Sequence, residues 1–296
     1  MSTVRFEGTF TALVTPFKDD LSIDWEAFDR LVDDQLAGGV EGIVTCGTTG
    51  ESPSLDPEEQ LELVRRCVKL AKGKAVVLAG TGTNATRTTI QASQAALNVG
   101  ADALMVVVPY YNRPTQEGLR THFVEVAKAV GAPVVIYNVP GRTGSDLDAD
   151  TLARICEGAA NVVAVKEATG NVLRATEILR TIGGRIAVLS GDDALTLPMV
   201  AIGARGVISV ASNLYPAQVA KATRLALEGK LEEARVAHLA LCRVYDAMFV
   251  ESNPSPVKAA LAHHGKMKDV VRGPLVAISD AGRAKVLAAI RAYEAK

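Results

Sequence analysis

In Val162-Val163-Ala164-Val165-Lys166-Glu167-Ala168-Thr169-Gly170 an unbroken apolar run, Val162–Val165, is closed by a lysine and a glutamate. Continuous rather than alternating hydrophobicity marks a strand buried on both faces, as in a parallel sheet wrapped by helices. Seven further stretches read the same way: residues 10–14, 42–45, 75–79, 103–108, 134–137, 186–189 and 206–210. Their starts lie roughly 20–35 residues apart, the length of one strand–helix unit. Eight such units before residue 228 fit a closed (β/α)8 barrel better than an open doubly wound sheet.

The segments between the runs carry helix signals. Asp56-Pro57-Glu58-Glu59 sets a cap, a first-turn proline and acids ahead of an apolar face of Leu61, Val64 and Val68, and Gly73 follows the last turn. Asn84 precedes a helix that ends near Gly100. Beyond residue 228, residues 231–249, 256–264 and 280–293 read as amphipathic helices with no strand between them. The expected organisation is a barrel over residues 1–228 and a small helical domain over residues 229–296, packed directly on it because no low-complexity linker intervenes.

Composition narrows the classes of function. Lysine and arginine number 32 against 33 acids, a formal net charge of -1 with no long run of one sign, which argues against nucleic acid or an anionic membrane as the main partner. Residues 1–10 lack a basic segment followed by an apolar run, and no stretch is long and charge-free enough to span a bilayer. A cytoplasmic protein is expected. Cys46, Cys67, Cys156 and Cys242 form no CxxC pair, and His122, His238, His263 and His264 stand in no metal-ligand spacing. No metal and no disulfide framework are expected.

In such a barrel the C-terminal ends of all strands meet at one face, so polar residues there converge on a single site. The second run is followed by Gly47-Thr48-Thr49-Gly50-Glu51, the fourth by Pro109-Tyr110-Tyr111-Asn112, and the fifth by Tyr137-Asn138-Val139-Pro140-Gly141-Arg142. The sixth ends in Lys166, the seventh in Ser190-Gly191-Asp192-Asp193 and the eighth near Ser209. A lysine kept from water favours the neutral amine, the form that attacks a ketone to make an imine. Its bland alternative is an ion pair with Glu167. Tyr137, one strand away, offers a phenol to move protons, or is a buried aromatic with a satisfied hydroxyl. Thr48 and Thr49, in a glycine-flanked turn, offer hydroxyls and backbone N–H groups to a small carboxylate, although such a turn also suits phosphate or serves only to reverse the chain. Arg142 has the bidentate fork for a carboxylate, or is a solvated loop arginine. Cys46 lies beside this turn without a histidine to activate it and reads as a packed thiol.

Taken together, Gly47-Thr48-Thr49-Gly50-Glu51, Pro109-Tyr110-Tyr111-Asn112-Arg113-Pro114, Tyr137-Asn138-Val139-Pro140, Val165-Lys166-Glu167-Ala168-Thr169-Gly170, Ser190-Gly191-Asp192-Asp193 and Gly206-Val207-Ile208-Ser209-Val210 resemble the 4-hydroxy-tetrahydrodipicolinate (dihydrodipicolinate) synthase family, in order along the barrel. The resemblance implies condensation of pyruvate with L-aspartate 4-semialdehyde on the route to diaminopimelate and lysine. It implies an imine between Lys166 and pyruvate and no other cofactor. Tyr137, Thr48 and Tyr111 would form a proton relay, with Tyr111 entering from the neighbouring subunit of a homotetramer built as a dimer of dimers. Thr49 would meet the pyruvate carboxylate and Arg142 the semialdehyde carboxylate, while Gly191 and Ile208 line the pocket through backbone atoms. The roles of Glu51 and Asp192 stay open.

Three departures stand out. Lysine-sensitive members carry a histidine and a glutamate where, by the resemblance, this chain places Pro57, Gln60 and Thr88, so the inhibitory lysine site is expected to be vestigial, with only Ser52, Asn84 and Tyr110 kept. An ammonium without a carboxylate is costly to desolvate. Gly141 stands where serine is frequent, and Ser255 in Asn253-Pro254-Ser255-Pro256 replaces a customary isoleucine. The alternatives in view are an N-acetylneuraminate lyase or 2-keto-3-deoxy sugar-acid aldolase using the same imine, a catalytically silent barrel acting as a regulator, and a phosphate-binding barrel using Gly80-Thr81-Gly82 or Gly183-Gly184.

Overall fold

The structure, a computed structural model, describes residues 4–295. Eight parallel strands, β1 (Gly8–Ala12), β2 (Gly42–Thr45), β3 (Val76–Gly80), β4 (Ala103–Val107), β5 (Val134–Asn138), β6 (Val162–Glu167), β7 (Ala187–Ser190) and β8 (Gly206–Ser209), close into a barrel in chain order. All eight fall within two residues of the apolar runs at both ends. The first is displaced: Gly8 and Thr9 take the ladder positions opposite Gly206 and Val207, and Leu13 and Val14 lie beyond the strand. A run of hydrophobicity cannot distinguish strand from the buried loop that follows it. β6 also runs further than its apolar residues, taking Lys166 and Glu167 into the ladder.

Two apolar regions hold the fold. Alternate residues of the strands, among them Phe10, Val44, Leu78, Met105, Val135, Ala164, Leu189 and Ile208, fill the barrel interior. The other faces pack against the surrounding helices in a larger cluster that includes Leu31, Ile43, Leu63, Leu104, Phe123 and Ile136. The seam between β1 and β8 depends on glycine: Gly206 has φ 144 and stands so close to the Gly8 carbonyl that a Cβ would collide with it. Helix Pro57–Ala71 starts as its sequence requires, with the Asp56 N–H donating to the Glu59 carboxylate at 3.0 Å in a capping box.

After residue 228 come helices Leu231–Ala247, Ser255–His263 and Asp280–Glu294, with no strand among the described residues. Their buried Leu241, Val244, Val257, Val286 and Ile290 belong to the same cluster as the barrel's outer layer. No helix of the described residues is long and apolar enough to cross a membrane.

His122 is buried on helix Gln116–Val130, where its Nδ1 shares a 2.9 Å hydrogen bond with the Thr86 hydroxyl of the neighbouring helix. Burial lowers its pKa from 6.5 to about 4. The unfolded chain therefore takes up a proton below pH 6.5 that the folded chain refuses until about pH 4, and stability falls as the pH drops through that window. Between pH 7 and pH 5 the loss is roughly 2 kcal/mol. Chemical-denaturation midpoints at the two pH values should show a larger loss for the wild type than for His122→Gln; equal losses would refute it.

Candidate active site

Successive residues of a strand point to opposite faces. Ala164 faces the barrel interior, so Lys166 does too, and Glu167 faces away from it. Glu167 accepts from the Thr169 N–H at 2.7 Å and from Asn138 Nδ2 at 3.3 Å, and burial raises its pKa. The ion pair between Lys166 and Glu167 is accordingly absent, and no carboxylate among the described residues pairs with Lys166. The amine, on a residue only 5% exposed, sits over the Tyr137 ring at 4.1 Å from its centroid. The two residues are register partners on β5 and β6.

The other expected groups sit at the ends of further strands, and the cleft that two of them line does not include Lys166 or Tyr137. Thr48 and Arg142 line one cleft of about 470 Å³ together with Ser52, Gln60, Thr83 and Tyr110. Arg142 lies on the short helix Pro140–Thr143, is exposed, and has no acidic partner among the described residues; it is the only charged residue in the cleft lining. Thr49, in the same turn as Thr48, is buried and lies outside the cleft lining. Gly191 donates its N–H to the Glu167 carbonyl at 2.7 Å, an approach that a Cβ would block by striking Ala168. Ile208 is fully buried in the barrel interior. Asn84 lies outside the cleft lining, where its carbonyl accepts from Asn112 Nδ2 at 2.8 Å, and Thr88 is exposed. Tyr111 does not join these groups within one chain: it is 87% exposed on a backbone with φ 73.

Cys46 is buried, and burial pushes its thiol up to about 12, which fits a packed thiol and not a nucleophile. Gly141 faces open space, so the serine frequent in the family would fit there. The Ser255 hydroxyl donates to the Val276 carbonyl at 2.9 Å, a bond an isoleucine could not make.

Asp193 and Lys258 were given no role by the sequence reading, and Asp192 and Glu51, whose roles it left open, have partners here. Asp193, fully inside, accepts from the Ser209 hydroxyl and from the N–H groups of Val210 and Ala211 at 2.9 and 3.0 Å, locking the ends of β7 and β8 together. Asp192 caps the following turn by accepting from the Ala194 N–H at 2.9 Å. Glu51 forms an ion pair with Lys258, a lysine with no exposed surface whose Nζ also donates to the Val270 carbonyl at 2.8 Å and lies over the Phe17 ring. Burial lowers the Lys258 pKa to about 8 even with Glu51 beside it. Removing one member of such a pair costs about 3–5 kcal/mol, because the other is left buried and uncompensated. A signal was there to be read: Lys258 is the lone charge in residues 256–262, Pro-Val-Lys-Ala-Ala-Leu-Ala.

A parallel barrel holding an unpaired lysine amine against a tyrosine ring, below a mouth with a threonine turn and a free arginine, has the groups of an imine-forming lyase. The model of the dihydrodipicolinate synthetase family matches residues 5–293. The 4-hydroxy-tetrahydrodipicolinate synthase of Sorangium cellulosum is 53% identical over 100% of this chain and 99% of its own, and that of Geotalea daltonii 47% identical over 98% and 99%. The crystal structure of dihydrodipicolinate synthase from Aquifex aeolicus superposes with a TM-score of 0.95 at 44% identity, covering 98% of each chain. The chain belongs to the dihydrodipicolinate synthetase family and is an enzyme of the lyase class.

Proposed function

We propose that this enzyme condenses pyruvate with L-aspartate 4-semialdehyde to 4-hydroxy-tetrahydrodipicolinate through an imine on Lys166, without a further cofactor. The observation that carries the reading is the buried Lys166 amine over Tyr137, with no carboxylate partner among the described residues. The neutral amine adds to the pyruvate ketone, and the carbinolamine loses its hydroxyl as water once that oxygen is protonated, the nitrogen lone pair forming the C=N bond; the Tyr137 phenol is the proposed proton donor. The resulting imine draws electrons from the methyl group, which loses a proton to give an enamine. Its carbon attacks the semialdehyde carbonyl, forming the new C–C bond, and the alkoxide takes up a proton. The semialdehyde's own amine then adds to the imine carbon and displaces Lys166, closing the ring.

Thr48 belongs to the proton relay and Thr49 to the pyruvate carboxylate. Arg142, exposed in the cleft and free of acids, receives the semialdehyde carboxylate. Tyr111 completes the relay of the partner subunit, which is supported by its 87% exposure and left-handed backbone. The smallest complete catalytic unit is then a dimer, and we expect a homotetramer in the cytoplasm.

Borohydride added with pyruvate, followed by peptide mass mapping, should place the reduced adduct on Lys166 alone, and turnover should be found with aspartate semialdehyde but not in cleavage of N-acetylneuraminate. Label on another lysine, or none, would overturn the assignment. The cleft with Ser52 and Tyr110 contains no carboxylate in its lining, so nothing there neutralises the ammonium of a bound lysine. Steady-state rates should be insensitive to sub-millimolar lysine; inhibition in that range would contradict this reading.

A further inference from the structure

Residues 253–272 grip the threonine turn from below. The Asn253 side chain donates from Nδ2 to the Thr49 hydroxyl at 2.9 Å, a contact between residues 204 apart in sequence and both nearly inaccessible to solvent. Two residues further on, Glu51 takes a left-handed backbone with φ 57, a conformation unfavourable for a residue with a side chain. Its carboxylate is held there by Lys258 and by the Arg272 N–H at 2.9 Å. The Arg272 guanidinium then reaches the Ser54 carbonyl at 2.9 Å and both oxygens of Glu59 at 2.6 and 2.7 Å.

A hydroxyl has one proton to give and two lone pairs to offer. In Thr49 a lone pair is taken by Asn253, and no acceptor for its proton is found among the described residues. The proton is left to donate elsewhere, which is what an incoming carboxylate needs from this hydroxyl. Without Asn253 the hydroxyl is free to rotate and to spend its proton on a local carbonyl, as the Thr143 and Thr223 hydroxyls do here.

We infer that Asn253 is a positioning residue for pyruvate: it orients the Thr49 hydroxyl as a donor, while the Glu51–Lys258 pair fixes the far end of the same turn. This rests on the assignment of Thr49 to the pyruvate carboxylate. The geometry explains why the all-helical segment is joined to the active turn by buried polar bonds, where apolar packing alone would hold it to the barrel.

The test compares Thr49→Val, Asn253→Ala, Asn253→Leu and Thr49→Val/Asn253→Leu in the full-length enzyme, by steady-state kinetics with each substrate varied. Thr49→Val and each Asn253 variant should raise KM for pyruvate about tenfold, with KM for the semialdehyde within about twofold of wild type. The double variant should be no worse than the poorer single one, because both act through one hydroxyl. If Thr49→Val leaves the pyruvate KM unchanged, the carboxylate assignment itself falls and takes the inference with it. If Thr49→Val raises it but neither Asn253 variant does, or if the double variant multiplies the single effects, Asn253 does not act through Thr49. Failure of both Asn253 variants to fold would reduce the residue to a stabilising contact and overturn the inference as well.

Discussion

A primary amine inside a barrel filled with aliphatic side chains is tolerated in few ways: paired with a carboxylate, satisfied by hydrogen bonds, or set against a ring face. Among the described residues Lys166 has only the last, through Tyr137 on the adjoining strand. The alternation of a β-strand enforces this choice. It sends Glu167, the nearest acid in sequence, to the opposite face, where Asn138 and the Thr169 N–H occupy its carboxylate. The same register that closes the barrel thus keeps the amine from its neighbouring acid, as the proposed imine chemistry requires.

The strand ends are tied together by polar bonds between residues distant in sequence. Asp193 ties β7 to β8, and Asn213 spans β1 by accepting from the Val14 N–H and donating to the Ala12 carbonyl. The C-terminal helical segment reaches under the threonine turn through Asn253, Lys258 and Arg272. Such networks are costly to leave half-made, so they define one arrangement of the rim more sharply than the apolar contacts beneath them do. The rim is finished by a residue that leaves it: Tyr111 projects into solvent from a backbone strained by its left-handed φ.

The barrel was legible because parallel strands buried on both faces appear as continuous apolar runs, and all eight were located within two residues. β1 was displaced because Leu13 and Val14 are as apolar as the strand before them. That Lys166, Tyr137, Thr48 and Arg142 lie at the same end of the barrel follows from its parallel topology and needed no distances. Alternation within β6 already separates Lys166 from Glu167 once the strand is extended to include them, so the competing ion pair was open to rejection from sequence. The brace was not legible. Nothing in the order of residues links Asn253 to Thr49, and a helix such as Ser255–His263 looks like any apolar helix apart from the single lysine at its centre.

The central claim is that the buried, acid-free amine of Lys166 is the group that takes pyruvate. A crystal structure of the enzyme soaked with pyruvate tests it directly. Continuous density is expected from Lys166 Nζ to the pyruvate C2, with the carboxylate against Thr48 and Thr49 and with Tyr111 of the partner subunit closing over it. Pyruvate bound without a covalent link, or with its carboxylate on Arg142 and away from the threonine turn, would contradict the account.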